Sequence, residues 1–248
     1  MSGHSKWATT KHRKGAQDKA RAKLFAKLIR QVEVAAREGG GDVNANATLR
    51  TMFQKARDGS VPIDTIERAI KRGTGELEGV RYEAVTYEGY GPGGVAVLVE
   101  CLTDNRNRTG AEMRSLFTRS GGSMAEPGAV AWQFERKGAI EVPATIDEDR
   151  LMELASDAGA EDLERDDDGF SITTAPGDLA SVREALERAG ISVRSAELTM
   201  VPTSTIEIVD DDAKRVLRMM DAIDEHDDVQ SVHSNFDIPE SVLAAYDG

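Results

Sequence analysis

At 248 residues, with 40% hydrophobic and 30% charged side chains, the chain suits one large domain or two to three small ones and is too apolar for wholesale disorder. No stretch nears the roughly 20 apolar residues of a membrane span, and a single cysteine excludes an internal disulfide and a cysteine-based zinc site. The net charge of -13 is unevenly spread: residues 1–40 carry ten Lys/Arg against three Asp/Glu, residues 41–79 balance at six each, and residues 80–248 carry 15 against 35.

A basic arm therefore precedes an acidic body. Polyanion binding follows local positive charge, so the negative total does not exclude a nucleic-acid partner. The basic start lacks the apolar core of a signal peptide, because His4, Lys6, Lys11 and His12 interrupt it. A soluble protein with a cytoplasmic location is the expectation, with no membrane partner.

Residues 1–20 show no apolar period and read as an arm. Lys6, Lys11, His12, Arg13, Lys14 and Lys19 lead into a basic helix with Arg21, Lys23 and Lys27. Such groups neutralise phosphates without reading bases. Trp7 suits either stacking on an unpaired base or anchoring the arm on the protein, and the residues leave both open. A solubilising tail is the plainer alternative for the cluster. A membrane-surface helix fits less well, since the apolar positions are Ala-rich.

From Ala22 to Glu38, Leu24, Leu28, Val32 and Ala35 recur at helical spacing, and Gly39-Gly40-Gly41 ends the helix. A second helix is predicted over Asn44–Arg57, with Leu49, Met52, Phe53 and Ala56 inward. A third follows Pro62, with Ile63, Ile66 and Ile70 on one side. Together they make a small helical domain, residues 1–79.

Past residue 80 the period shifts toward two. Strands are predicted at Tyr82–Glu88, Val95–Cys101 and Val130–Phe134, with a helix over Arg106–Arg119. The second strand, VAVLVEC, is nearly continuous apolar, as in a sheet centre; it buries Cys101. Residues 136–200 then read strand, helix, two strands joined at Asp166-Asp167-Asp168-Gly169, helix, strand. That is the split βαβ plan. Strand Thr205–Val209, helix Asp211–Asp224 and strand Val229–Asn235 complete the 80–135 segment. The expectation is a discontinuous middle domain, 80–135 with 201–248, carrying 136–200 as an insertion; one continuous α+β domain is the alternative.

Several motifs invite chemistry and are better read plainly. Gly89-Tyr90-Gly91-Pro92-Gly93-Gly94 has dinucleotide-like spacing but leads into a strand, not a helix. The Asp166–Gly169 run lacks the alternating ligands of a calcium loop and reads as a hairpin turn. Asp210-Asp211-Asp212 suits a helix start. His226 and His233 read as surface histidines, since their spacing shows no convergent metal set. No metal and no cofactor is expected, and no nucleophile–base arrangement makes a case for an enzyme.

Thr103-Asp104-Asn105-Arg106-Asn107-Arg108-Thr109 stands where a buried strand gives way to a helix. Asp104 or Asn105 can cap that helix. Asn105, Arg106 and Arg108 can then hold phosphates, or the segment is a capping turn with solvated arginines; both readings stay open.

GHSKWATTKHRK at 3–14, KLFAKLIRQVEVAAREGGGD at 23–42, KARDGSVPIDTIERAIKRGTG at 55–75, YEGYGPGGVAVLVECLTDNRNRT at 87–109 and SGGSMAEPGAVAWQFERKG at 120–138 resemble the YebC/PmpR family across essentially the whole chain. That family is similar to the mitochondrial translational activator of cytochrome oxidase. The resemblance implies an α+β fold in three domains, a helical N-terminal one and two of ferredoxin-like topology, one inserted in the other. Members are described as cytoplasmic DNA-binding transcriptional regulators or as ribosome-associated translation factors that relieve stalling on sequences such as proline runs. Neither role is enzymatic.

An extended basic arm without a paired base-reading helix favours a structured RNA recognised by shape and phosphates. The expected function is therefore a ribosome-associated factor contacting rRNA. A regulator of promoter DNA is the first alternative, and a protein-interaction scaffold without nucleic-acid binding the second. A monomer is the default.

Overall fold

The computed structural model describes residues 17–165 and 169–239, with side chains described from residue 21 on and excepting residue 210. Three helices come first: α1 (Gln17–Gly39), α2 (Ala47–Asp58) and α3 (Ile63–Gly73). Leu28, Val32, Leu49 and Ile66 fill their shared seam. Gly40 ends α1 with φ +85°, a left-handed conformation that a glycine adopts without Cβ strain. Asn46 then caps α2. Its side chain accepts from the Leu49 amide at 3.0 Å and donates to the Ala35 and Gly40 carbonyls at 2.8 and 2.9 Å. One buried amide thus satisfies both the end of α1 and the start of α2.

Next come β1 (Glu83–Tyr90), a short 3-10 turn at Pro92–Gly94, β2 (Ala96–Thr103), α4 (Arg106–Arg119) and β3 (Ser123–Ala125). The glycine-rich run is the connection between antiparallel strands β1 and β2. Val130–Phe134 departs from the predicted strand. Ala131–Gln133 is a 3-10 turn, and Phe134 opens the next strand. The amides that a strand would have paired are taken instead by Glu88.

The segment Phe134–Val201 is a compact unit of its own. It holds β4 (Phe134–Pro143), α5 (Glu148–Asp157), β5 (Ala160–Arg165), β6 (Gly169–Thr174), α6 (Leu179–Arg188) and β7 (Ser195–Pro202). The sheet order β5-β6-β4-β7, with β6 antiparallel to both β4 and β5, is the split βαβ arrangement. Ile140, Leu151, Ile172, Val182 and Leu186 form its core. The apex of the β5–β6 hairpin, Asp166–Asp168, lies outside the described residues.

The residues on either side of this segment form the larger unit. The chain leaves it at Gln133 and re-enters beside the same point, where the Thr203 amide donates to the Gln133 carbonyl at 2.8 Å. There follow β8 (Ile206–Glu207), α7 (Asp210–Asp224), β9 (Val229–Ser234) and β10 (Phe236–Asp237). Only two residues of the predicted strand at 205–209 pair, in parallel with β10. The sheet runs β3-β1-β2-β9, so β2 is internal and its apolar run is buried. Met113 and Phe117 of α4 and Leu217 and Met220 of α7 pack over Val97, Val99 and Cys101. Among the described residues no helix is long and apolar enough to cross a membrane.

Candidate nucleic-acid interface

Lys6, Trp7, Lys11, His12, Arg13 and Lys14 lie outside the described residues, and Lys19 is described only in its backbone, on α1. Arg21 is exposed beside Phe25, its guanidinium 5.5 Å from the ring centre. The next cations behave differently. Lys23 donates to the Glu225 carbonyl and stands 4.0 Å from the Asp227 carboxylate. Lys27 donates to the Asp224 carboxylate at 3.1 Å and its carbonyl at 3.2 Å. Arg30, two turns from Lys23, donates to the Asp227 carbonyl at 2.6 Å, reaches Asp228 at 3.4 Å and lies 5.2 Å from the Tyr82 ring centre.

These three groups thus gather at the C-terminal end of α7. Its last carbonyls carry partial negative charge, and no basic residue of α7 itself serves them. The Lys23, Lys27 and Arg30 face of α1 is engaged within the molecule, on the acidic turn at residues 224–228.

The 103–109 segment folds around the same turn. Asn105 is the cap of α4, its side chain accepting from the Arg108 amide at 3.1 Å. Arg106 is exposed, and its carbonyl accepts from the Tyr87 hydroxyl at 3.2 Å. Arg108 turns back: it donates to Asp104 at 2.9 Å and to Asp228 at 2.7 Å. The Asn105 amide donates to the Thr103 hydroxyl at 2.9 Å. Thr103 and Thr109 share a 2.7 Å hydrogen bond, and Thr109 donates to Asp228 at 2.7 Å. A relay of hydroxyls thus ends on one buried carboxylate. Burial opposes the charge of Asp228, but Thr109 and Arg108 outweigh it and hold the carboxyl below its ordinary value.

Of the sequence-predicted residues, the structure brings Lys23, Lys27 and Arg108 to this acidic turn, while Arg21, Asn105 and Arg106 keep exposed positions. Arg30, Thr109 and Asp228 belong to the constellation and carry no sequence signal beyond type. They are joined across about 200 and 120 positions, which no local pattern encodes.

Arg30, Tyr82, Asp104, Arg108, Glu112 and His226 line an open cleft of about 510 Å³ beside Asp228. Glu112, His226 and Asp228 bring ligand atoms within 4.8 Å of one another, which poses a metal reading. The donors do not fit one. The Asp228 amide donates to His226 Nδ1 at 3.2 Å, so the ring proton sits on Nε2, facing Glu112 at 2.8 Å. Arg108 meanwhile lies 3.8 Å from Glu112 and binds Asp228. A proton and a guanidinium already occupy the space between the carboxylates.

The histidines also differ from the surface positions expected of them. His226 is half-buried, and His233 is 5% exposed on β9, its Nε2 3.1 Å from Glu100. Each is held by a carboxylate that the fold supplies from elsewhere. Burial pushes the Cys101 thiol up to about 12, so it stays protonated and unreactive at neutral pH.

A second buried carboxylate shapes the surface at the other end of β1. Glu88, 6% exposed, accepts from the amides of Gly128, Val130 and Ala131 at 2.7, 2.7 and 2.8 Å. Burial disfavours its charge, but the three amides hold its carboxyl below the ordinary value. The loop from Glu126 to Gln133 is therefore braced from beneath.

The family model described as the TACO1/YebC protein N-terminal domain matches residues 5–76, and that described as the TACO1/YebC second and third domain matches residues 82–236. A protein of Pelotomaculum thermopropionicum, called "Probable transcriptional regulatory protein", is 52% identical over 241 residues, covering 96% of this chain and 99% of its own. One of Chlorobaculum tepidum with the same description is 52% identical over 246 residues, 98% of each chain. The crystal structure of a conserved hypothetical protein from Aquifex aeolicus superposes with a TM-score of 0.85 at 48% identity, covering 93% of this chain and 96% of that one. Its helical N-terminal region and sheet-containing domains share this α+β architecture. The chain belongs to the TACO1/YebC family.

Proposed function

We propose that the protein is a non-enzymatic, nucleic-acid-binding regulator of gene expression, and that it acts on DNA as a transcriptional regulator. The observation that carries the reading is the charge layout: ten cations against three anions in residues 1–40, ahead of a strongly acidic remainder. The descriptions of its relatives as transcriptional regulatory proteins support the choice of DNA. With Lys23, Lys27 and Arg108 held internally, the contact falls to Lys6, Lys11, His12, Arg13, Lys14, Lys19 and Arg21, with Trp7 stacking or anchoring and Asn105 and Arg106 as exposed additions.

A second reading, a ribosome-associated factor contacting rRNA, has one observation in its favour. The described basic helix turns Lys23, Lys27 and Arg30 onto the protein and so offers no long base-reading stripe, which suits recognition by shape and phosphate. The three-part division at residues 79/80 and 135/136, with return at 200/201, is a proposal of the same standing.

Binding to promoter fragments, measured against random duplex and against purified ribosomes, separates these readings. The transcriptional reading expects a promoter fragment that random duplex cannot displace at physiological salt. Substituting Lys11, Arg13 and Lys14 with Ala is expected to lower the slope of log K against log salt by about 2–3 on duplex DNA. Co-sedimentation with ribosomes and no promoter preference would reject DNA in favour of rRNA. An unchanged slope would remove the arm as the contact surface.

A further inference from the structure

The helical and the α+β residues of the larger unit have separate apolar cores. Leu28, Val32, Leu49 and Ile66 belong to one buried cluster, and Val97, Val99, Met113, Phe117 and Leu217 to another; among the described residues the two clusters share no member. The connection between them, residues 74–81, is exposed throughout. The Val80 carbonyl still accepts from Arg37 of α1 at 3.2 Å, so the chain leaves the helical part at Arg81. With no shared core and no buried join, the placement of α1–α3 falls to other forces.

Those forces are electrostatic. Lys23, Lys27 and Arg30 share one face of α1, and all three end on residues 224–228. Lys23 donates to the Glu225 carbonyl. Lys27 donates to the carboxylate and the carbonyl of Asp224, and Arg30 to the Asp227 carbonyl, with the Asp228 carboxylate at 3.4 Å. Gln31 adds a 3.3 Å amide contact to Gln230. The Lys27 and Asp228 side chains are 12% and 6% exposed, so these bonds are screened less than pairs at a rim. To an ammonium or a guanidinium, a carboxylate or a helix-end carbonyl offers what a phosphate offers, an oxygen carrying negative charge. A cation held there is withdrawn from an outside phosphate.

We propose that the 224–228 turn is an autoinhibitory clasp: it docks α1–α3 onto the α+β part through Lys23, Lys27 and Arg30, and by doing so keeps those three cations from nucleic acid. Closed, the protein meets nucleic acid through the arm. Opened by a turn about Arg81–Tyr82, it offers the α1 cations as well. This rests on the nucleic-acid reading above and deepens it, because the size of the cationic surface becomes a matter of conformation.

The test is single-molecule energy transfer on the full chain, read first without nucleic acid. Cys101 is buried and its thiol is pushed up to about 12, so dyes attach instead at Asp64→Cys and Thr118→Cys, exposed positions on α3 and α4. The wild type should show one closed population at about 50 mM salt and gain a second towards about 1 M. Asp224→Asn with Asp227→Asn should raise the open fraction about fivefold at low salt. Lys27→Glu should open the clasp further, and Lys27→Glu with Asp224→Lys, which restores the pair reversed, should close it again; that rescue separates opening from misfolding. Labelled duplex is then added to the wild type and the Asp-to-Asn pair. Equal transfer histograms for the wild type, the pair and Lys27→Glu overturn the clasp and leave duplex binding by the arm, and with it the functional reading, intact. Opening of the pair with unchanged duplex affinity overturns the inhibition. Opening with no salt-dependent duplex binding by either protein overturns the inhibition and the functional reading together.

Discussion

Asp228→Ala is expected to lower the melting temperature by roughly 5–10 °C, the largest effect of any single charged residue on the larger unit. Asp228 is 4% exposed and accepts from Thr109 and Arg108 at 2.7 Å each, with Arg30 at 3.4 Å. Truncation leaves the buried Thr109 hydroxyl and the Thr103 hydroxyl behind it without their terminal acceptor. It also leaves two guanidiniums facing a void. Because Arg108 stays partly solvated, the loss falls below that of a fully buried pair, at about 2–3 kcal/mol.

Asp228→Asn separates charge from shape, since the amide oxygen still accepts from Thr109. The sign of the pH effect follows from the depressed carboxyl. In the unfolded chain it titrates near its ordinary value of about 3.9. The stabilisation is complete above that value and is lost as pH falls through the lower folded value. Thermal melts from pH 3 to 7 should therefore show a steady gap between wild type and Asp228→Asn at pH 5–7, narrowing below about pH 4. Identical melting curves for wild type and both variants would remove Asp228 as the hub of this turn.

Most of the secondary structure was legible because periodicity is local. Leu28, Val32, Leu49 and Ile66 announce their helices, and VAVLVEC announces a central strand. The split βαβ order read over 136–200 was legible for the same reason: each amphipathic helix stands between two strands. The miss at 130–134 is equally physical. Val130–Phe134 has strand composition, but a buried carboxylate 42 residues upstream claims its amides, and nothing in the segment records that.

The site was less legible than the fold. Cations counted along α1 say how much charge is present and not where it points. Lys23, Lys27 and Arg30 lie at helical spacing on one face, yet that face proves to be the one turned onto residues 224–228. DEHDDV contains four acidic residues, and only the fold distinguishes the buried Asp228 from the exposed Asp227.

Asp224→Asn with Asp227→Asn is expected to raise affinity for a nucleic acid about tenfold at low salt and to steepen its salt slope by about 1–2. In the folded chain Lys27 is paired with Asp224 at 3.1 Å, and Lys23 faces Asp227 at 4.0 Å. Both contacts set a carboxylate against the phosphate that would replace it. Removing two anions lowers the local repulsion and leaves Lys23 and Lys27 facing neutral amides and the carbonyls at the end of α7. Those carbonyls carry partial charge and compete less well with a phosphate. By the same argument Lys23→Ala with Lys27→Ala should cost binding less than Ala substitution at Lys11, Arg13 and Lys14. Titration of a labelled duplex with all three variants between 50 and 200 mM salt measures both quantities. Weaker binding by the Asp-to-Asn pair would mean that α1 meets nucleic acid through a face other than the one held at residues 224–228, and an equal loss from the α1 and arm substitutions would mean that Lys23 and Lys27 leave that turn and contact it directly.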